Sequence, residues 1–250
     1  MFKKIQLFFL VFAVLTGILV YLDLIPFYVI LIEIGIYLAI LIYGAAYIQS
    51  QIFIPTLYRL DGNEKEICLS FDDGPHPNTM HVLDILKKHG VKACFFCIGK
   101  QIEIYPEIMQ RIVNEGHLIG NHTYSHSPFI SLYSAQKFKA EIDQCNAILQ
   151  KYSGRKNHPF RPPYGVTNPN IARALKDYPE KIIGWNLRSM DTVAKNPEKL
   201  KEKLLRKIKP GTILLFHDTQ EISLKILDQF IGEVKNRGYG FTINIEPNNR

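Results

Sequence analysis

The sequence predicts a parallel α/β fold, an open sheet or a barrel, behind two N-terminal apolar helices. Three observations lead there. Seven short apolar runs alternate with helix-like stretches after residue 66, carboxylates and histidines collect where those runs end, and the first fifty residues are far more apolar than the remainder. The expected organisation is therefore a membrane anchor over 1–50, a linker over 51–65 and a chemistry-bearing domain over 66–250. At 250 residues, length does not force a second large domain.

Lys3 and Lys4 precede an apolar run from Ile5 to Leu22, long enough to cross a bilayer core at about 1.5 Å per residue. A second run, Phe27 to Ile48, follows Pro26 and is interrupted by one charge, Glu33. A signal peptide is the competing reading of the first run. No small-residue cleavage pattern lies near Tyr21 to Phe27, and a second apolar segment follows at once, so a two-helix, multi-pass hairpin is favoured. Glu33 is costly in hydrocarbon unless protonated or packed; a helix-packing site is favoured slightly over a lipid-carrier contact. An even number of crossings returns the chain to the side of its N-terminus. The charge of Lys3 and Lys4 favours the cytoplasmic side.

The soluble part opens with a strand expected at Ile67 to Phe71. Further strands are expected at Val91 to Ile98, His117 to Gly120, Pro159 to Arg161, Lys181 to Leu187, Thr212 to Phe216 and Gly240 to Asn244. Helices are expected at Met80 to His89, Pro106 to Glu115, Ser134 to Lys151, Pro169 to Lys176, Pro197 to Ile208 and Ser223 to Arg237. Asn168-Pro169 and Asn196-Pro197 read as cap and first turn, while Gly90, Gly116 and Gly238 read as helix stops. The formal net charge of +7 is spread among acids on helical stretches such as Lys195 to Lys209. That is the pattern of solvated faces, and no nucleic-acid partner is expected. Cys94 and Cys97, three apart within a strand, point to opposite faces, so two buried structural cysteines are favoured over a redox or zinc pair.

Chemistry gathers at strand ends, where parallel α/β folds place it. The first strand stops at Asp72-Asp73-Gly74-Pro75. A regular strand would turn the two carboxylates to opposite faces, but a turn at Gly74-Pro75 lets both look over its carboxyl end. His122 and His126 follow the third strand. Four apart, they would share a face on a helical turn, and with one carboxylate they would make the two-His-one-Asp set that binds a divalent ion and leaves positions open for water and substrate. Arg161, fixed by Pro162 and Pro163, reads as a rigid bidentate partner for a carboxylate. His217 ends the sixth strand, where an imidazole serves as general acid or base. Singly, the carboxylate pair and the histidine pair are more often an ordinary turn and loop, Arg161 has a plain structural turn as its alternative, and His217 is as often a satisfied core residue.

Together they resemble the polysaccharide deacetylases, carbohydrate esterase family 4, over roughly Glu66 to Thr242. Ser70-Phe-Asp-Asp-Gly-Pro75, His122-Thr-Tyr-Ser-His126, Arg161-Pro-Pro-Tyr-Gly165 and Leu215-Phe-His217 match the family's motifs in order. The remaining motif departs, with Arg188 where many members have an acid and Thr192 in place of a tryptophan. The resemblance implies a distorted (β/α)7 barrel and a divalent ion, zinc above all, held by Asp73, His122 and His126. It makes Asp72 the general base on the attacking water, oriented by Arg161, and His217 the general acid, tuned by Asp191. The Tyr164 amide would help hold the oxyanion, Leu215 would line the acetyl pocket, and Trp185 would contribute to substrate binding. The implied activity is metal-dependent N-deacetylation of amino sugars in a polysaccharide or a lipid-linked glycan. Amide hydrolysis at neutral pH suits such an ion, which lowers the pKa of water from 15.7 to about 7 and polarises the carbonyl. A catalytically silent, membrane-anchored glycan-binding protein is the alternative from another class. The intact Asp72, Asp73, His122, His126 and His217 speak against it.

Overall fold

A computed structural model describes residues 1–61 and 64–245. The chain begins with two helices, α1 (Phe2–Tyr21) and α2 (Tyr28–Ala46), separated by a short turn through Asp23 and Pro26. Both are long and apolar enough to cross a membrane, and most of their large side chains point away from the rest of the protein. They touch through contacts such as Phe9 on Tyr37, ring centroids 4.9 Å apart.

The stretch after α2 is tied into the folded domain. Ile48, Ile52, Ile54, Thr56 and Leu60 are buried, and Leu57 bridges to Ile183 in parallel. The last turn of α2 is bonded as well: the Thr167 hydroxyl donates to Gly44 O at 3.0 Å and its N–H to Ala45 O at 3.2 Å. Gln49 Nε2 donates to Trp185 O at 2.7 Å.

The domain is organised on β1 (Glu66–Asp72), whose apolar run is buried on both faces, as a central parallel strand requires. Parallel partners flank it: β2 (Cys94–Cys97) and then β3 (Leu118–Asn121) on one side, β5 (Thr212–His217) and then β4 (Leu187–Arg188) on the other. A short β6 (Gly240–Phe241) pairs with the start of β1. Ile67, Leu69 and Phe71 face an outer core with Phe95, Leu214 and Phe216, and Phe71 stacks between Phe95 and Phe216 at 5.2 and 5.9 Å. Helices α3 (Pro77–His89), α5 (Pro106–Asn114), α6 (Ala135–Ser153), α8 (Pro197–Lys207) and α9 (Glu221–Asn236) cover that core. Cys68 and the residues of its parity face inward with Cys94, Phe96, Ile213 and Leu215.

Two expectations change here. Among the described residues the sheet has six strands. The expected strand at Pro159 to Arg161 is a single bridge residue, Phe160, paired to Asn121 and to Ile182. Pro159, Pro162 and Pro163 supply no N–H to a ladder, so the run cannot extend. The run from Lys181 bridges at Ile182 and Ile183 and becomes β4 only at its end. A helix not foreseen, α4 (Gly99–Ile104), follows β2; it has no side-chain cap to announce it. Helix α7 (Pro169–Ala174) is capped by Asn168 and α8 by Asn196, and Gly90 ends α3 at φ 60°.

Candidate active site

Four segments deliver the chemistry to one rim of the sheet. Asp72 is the last residue of β1, paired in register with His217, the last residue of β5. Asp73 takes φ 76°, a left-handed conformation that non-glycine residues adopt only under constraint. That reversal breaks the strand's alternation and brings the second carboxylate to the side of the first.

His122 and His126 converge without a helical turn. They lie on an irregular loop after β3, with Thr123 at φ 68° and His126 at φ 47°. The loop is held from beneath. Asn121 Oδ1 accepts from Thr123 N at 2.8 Å, Asn121 Nδ2 donates to Asn146 Oδ1 at 2.9 Å, and Thr123 Oγ1 accepts from His126 N at 3.3 Å. The histidine pair thus owes its geometry to side-chain bonds rather than to four-residue periodicity. The Asp73, His122 and His126 donor atoms lie within 4.8 Å of one another. His122 Nε2 and His126 Nε2 are 3.6 and 3.5 Å from Asp73 Oδ1.

His122 Nδ1 is bonded to Arg161 O at 2.8 Å, which assigns its proton there and leaves Nε2 free as a ligand. Burial pushes its pKa down to about 3, with neighbouring His126 acting in the same direction, so the ring is neutral. Neutral imidazoles and an adjacent carboxylate are the donor chemistry a zinc-like ion takes, and the set fits one.

Arg161 is fully buried but touches Asp72 through one nitrogen only, Nη1 to Oδ1 at 2.7 Å. It is not the bidentate partner expected. Nη1 also donates to Ser70 Oγ at 2.9 Å, Nη2 to Gly184 O at 3.0 Å and Nε to Ile183 O at 3.3 Å. The guanidinium is shared among these carbonyls and lies 4.0 Å over the Phe96 ring. Burial raises the Asp72 pKa, opposed chiefly by Arg161 and then by His217.

Asp191 receives the His217 backbone N–H at 2.7 Å and bonds its Nδ1 at 2.8 Å. Ser223 Oγ donates to the same carboxylate at 2.6 Å. Burial alone would lower the His217 pKa, but the bond to Asp191 and its charge outweigh it, and the value is raised. Burial likewise works to raise Asp191, and its bonds to His217 and Ser223 hold it low instead.

Asp72, Asp73, His122, His126 and His217 line one cavity of about 260 Å³ together with Tyr164, Gly165, Trp185, Leu215, Arg188 and Thr192. Every site residue named from sequence lies in this cavity or, for Arg161 and Asp191, directly behind it. Tyr164, at φ 60°, sets its ring 4.6 Å from that of His126. The sequence assigns no role of their own to Ser70, Asn121, Ser223 or Asp218. Ser70 shares the inward parity of Asp72 and was open to discovery by alternation; Ser223, on a distant helix, carried no local signal. Asp218 is buried, accepts from Thr79 Oγ1 at 2.6 Å, and sits at a pKa raised to about 7 by burial despite that bond.

The sequence model of the polysaccharide deacetylase family matches residues 59–183. A peptidoglycan-N-acetylglucosamine deacetylase of Bacillus cereus is 35% identical over 184 residues, 72% of this chain and 66% of that protein. The chain therefore spans just under two thirds of that relative's length. The crystal structure of the Bc1960 peptidoglycan N-acetylglucosamine deacetylase superposes with a TM-score of 0.70 at 30% identity, covering 87% of this chain and 94% of that one. A family pseudoenzyme from Bacillus anthracis superposes with a TM-score of 0.68 at 28% identity, covering 74% and 65%.

Proposed function

The chain belongs to the polysaccharide deacetylase family, and on that premise we propose that it is a metal-dependent N-deacetylase of amino sugars in a polysaccharide or lipid-linked glycan. The observation that carries this reading is the convergence of Asp73, His122 and His126 in the same cavity as Asp72 and His217. In this reading Asp73, His122 and His126 hold a divalent ion, and zinc is the ion that takes two imidazoles and a carboxylate oxygen while leaving positions open for water and substrate. When bound, the ion acidifies water and polarises the acetyl carbonyl.

The chain's own residues supply the rest. Asp72, kept in place by Arg161, takes the proton as a water oxygen attacks the acetyl carbon. The Tyr164 N–H steadies the oxygen that gains charge, and Leu215 and Trp185 enclose the methyl. His217, protonated and held by Asp191, gives its proton to the nitrogen as the carbon–nitrogen bond breaks. Acetate and a free amine leave, and such proton transfers contribute typically 10²- to 10⁴-fold each.

The single bridges at Phe160, Ile182 and Ile183 support reading the sheet as a distorted barrel, its gap spanned by irregular backbone. Helices α1 and α2 are read as a membrane hairpin joined to the domain over 51–65, with the domain on the side of Lys3 and Lys4. The bonds of Thr167 to α2 and of Gln49 to Trp185 support a site held close to the bilayer, which favours a membrane-proximal or lipid-linked glycan. A pseudoenzyme of this fold makes a silent glycan-binding protein the competing reading, and the full set of donor and proton-transfer residues supports the hydrolase. Acetate release from N-acetylglucosamine oligomers with added zinc, compared with Asp72→Asn, tests it. Loss of at least 10²-fold in the variant is expected, and equal release from both proteins overturns the assignment.

A further inference from the structure

Arg188 stands at a position where the sheet leaves it little choice of direction. It is the second residue of β4 and pairs in register with Leu215 of β5. Directly paired residues on neighbouring strands share a face, so Arg188 emerges beside the residue assigned to the acetyl methyl. It lines the same cavity as Asp72, Asp73 and His217.

Its charge is unspent. The other arginine of the site, Arg161, is buried, bonded to Asp72 and capped by two carbonyls. Arg188 is exposed and, among the described residues, makes no hydrogen bond or ion pair. The acids nearest the cavity are engaged elsewhere: Asp72 with Arg161, Asp191 with His217 and Ser223, and Asp73 beside the two histidines. Thr192, small and polar, lines the same cavity. An arginine so placed offers a planar fork of donors suited to a carboxylate or a phosphate.

We propose that Arg188 is a specificity residue and that the preferred substrate is an amino sugar carrying an anionic group close to its acetamido substituent. The inference rests on the N-deacetylase reading and narrows its substrate. Two sources supply such an anion: a carboxylate ether on the sugar ring, as in muramic-type residues, and a phosphate ester on the sugar, as in lipid-linked precursors.

The test compares three ligand arms on the full-length protein in detergent: a neutral N-acetylglucosamine oligomer, its counterpart with a 3-O-lactyl carboxylate, and N-acetylglucosamine 1-phosphate. Binding by calorimetry and acetate release are measured for the wild type, Arg188→Gln and Arg188→Lys. One anionic arm is expected to exceed the neutral arm, and the ratio to fall about tenfold in Arg188→Gln, the worth of one charge-assisted hydrogen bond. Arg188→Lys should restore part of the ratio, and added salt should shrink it. The arm that wins identifies the anion. A ratio unchanged in Arg188→Gln, or a wild type that binds the neutral arm best, overturns the proposal even if acetate is released. Conversely, selective binding lost in Arg188→Gln with no acetate from any arm would keep the anion site and remove the hydrolase reading.

Discussion

At the scale of single residues, the charges behind the cavity are held by several bonds each: Arg161 by Asp72, Ser70 and two carbonyls, Asp191 by His217 and Ser223. Arg161 and Asp72 form a buried pair, and removing one member strands the other. Arg161→Met is expected to destabilise the domain by about 3–5 kcal/mol, read as a lower denaturation midpoint, besides reducing acetate release. In its proposed role as the acid His217 has to be protonated, and the bond to Asp191 and its charge outweigh burial and raise its pKa. Activity therefore falls as pH rises through that value. In Asp191→Asn the alkaline limb of the kcat profile should move to lower pH; an unmoved limb would assign it to another group. Most of these residues were legible because they sit in short runs at strand ends. Their exact bonds were not: Arg161 divides its donors among Asp72, Ser70 and two carbonyls, and only the folded backbone brings Ile183 O and Gly184 O to it.

At the scale of elements, turns and caps do the positioning. Gly74, between the Asp72-Asp73 pair and α3, lies against the Asp218 carboxylate, so that a Cβ there would overlap Asp218 Oδ2. Gly74→Ala is expected to cost about 1–3 kcal/mol and to weaken zinc binding by displacing Asp73, measurable by calorimetry. Near the end of α6, His158 is buried, close to Ser153 Oγ at 2.6 Å and to Asn146 Oδ1 at 3.4 Å. Burial pushes its pKa down to about 4, whereas the unfolded chain titrates near 6.5. Between those values the unfolded state binds the extra proton. Stability is thus full above about pH 6.5 and declines as pH falls toward 4. The melting temperature should drop across that window, less steeply in His158→Gln; His117, also lowered to about 4, acts in the same direction. The capped helices were readable from Asn-Pro pairs and glycine stops. Short elements escaped: α4 has no cap, and the proline-bounded Phe160 has too few free amides to build a strand.

At the scale of the molecule, the end of α2 is bonded to the domain that carries the Asp73, His122 and His126 cluster. A ligand that binds only the folded state stabilises it, by about 2.7 kcal/mol at a free concentration 100 times Kd. Chelation should therefore abolish acetate release and lower the melting temperature, and zinc should restore both. Apolar helices that span a bilayer resist alkaline carbonate extraction, and α1 and α2 should hold the protein in the pellet; recovery in the supernatant would refute the hairpin. A C-terminal reporter active on one side of the membrane would place the domain, with the cytoplasmic side expected from Lys3 and Lys4.

By itself the chain determined its alternation of strands and helices, its two apolar N-terminal runs and the identity of the candidate groups at the strand ends. These follow from periodicity, cap chemistry and the scarcity of reasons to place paired carboxylates and histidines at strand ends. Tertiary structure alone decided how those groups meet. Left-handed backbone at Asp73, Thr123 and His126 is paid in local strain and held by Asn121 and by packing across the sheet. The same holds for the burial of Ile48, Ile52, Ile54, Thr56 and Leu60 against the domain and for Arg188, exposed at the cavity rim and, among the described residues, without a side-chain partner. Such contacts join residues far apart in sequence, and local pattern carries no record of them.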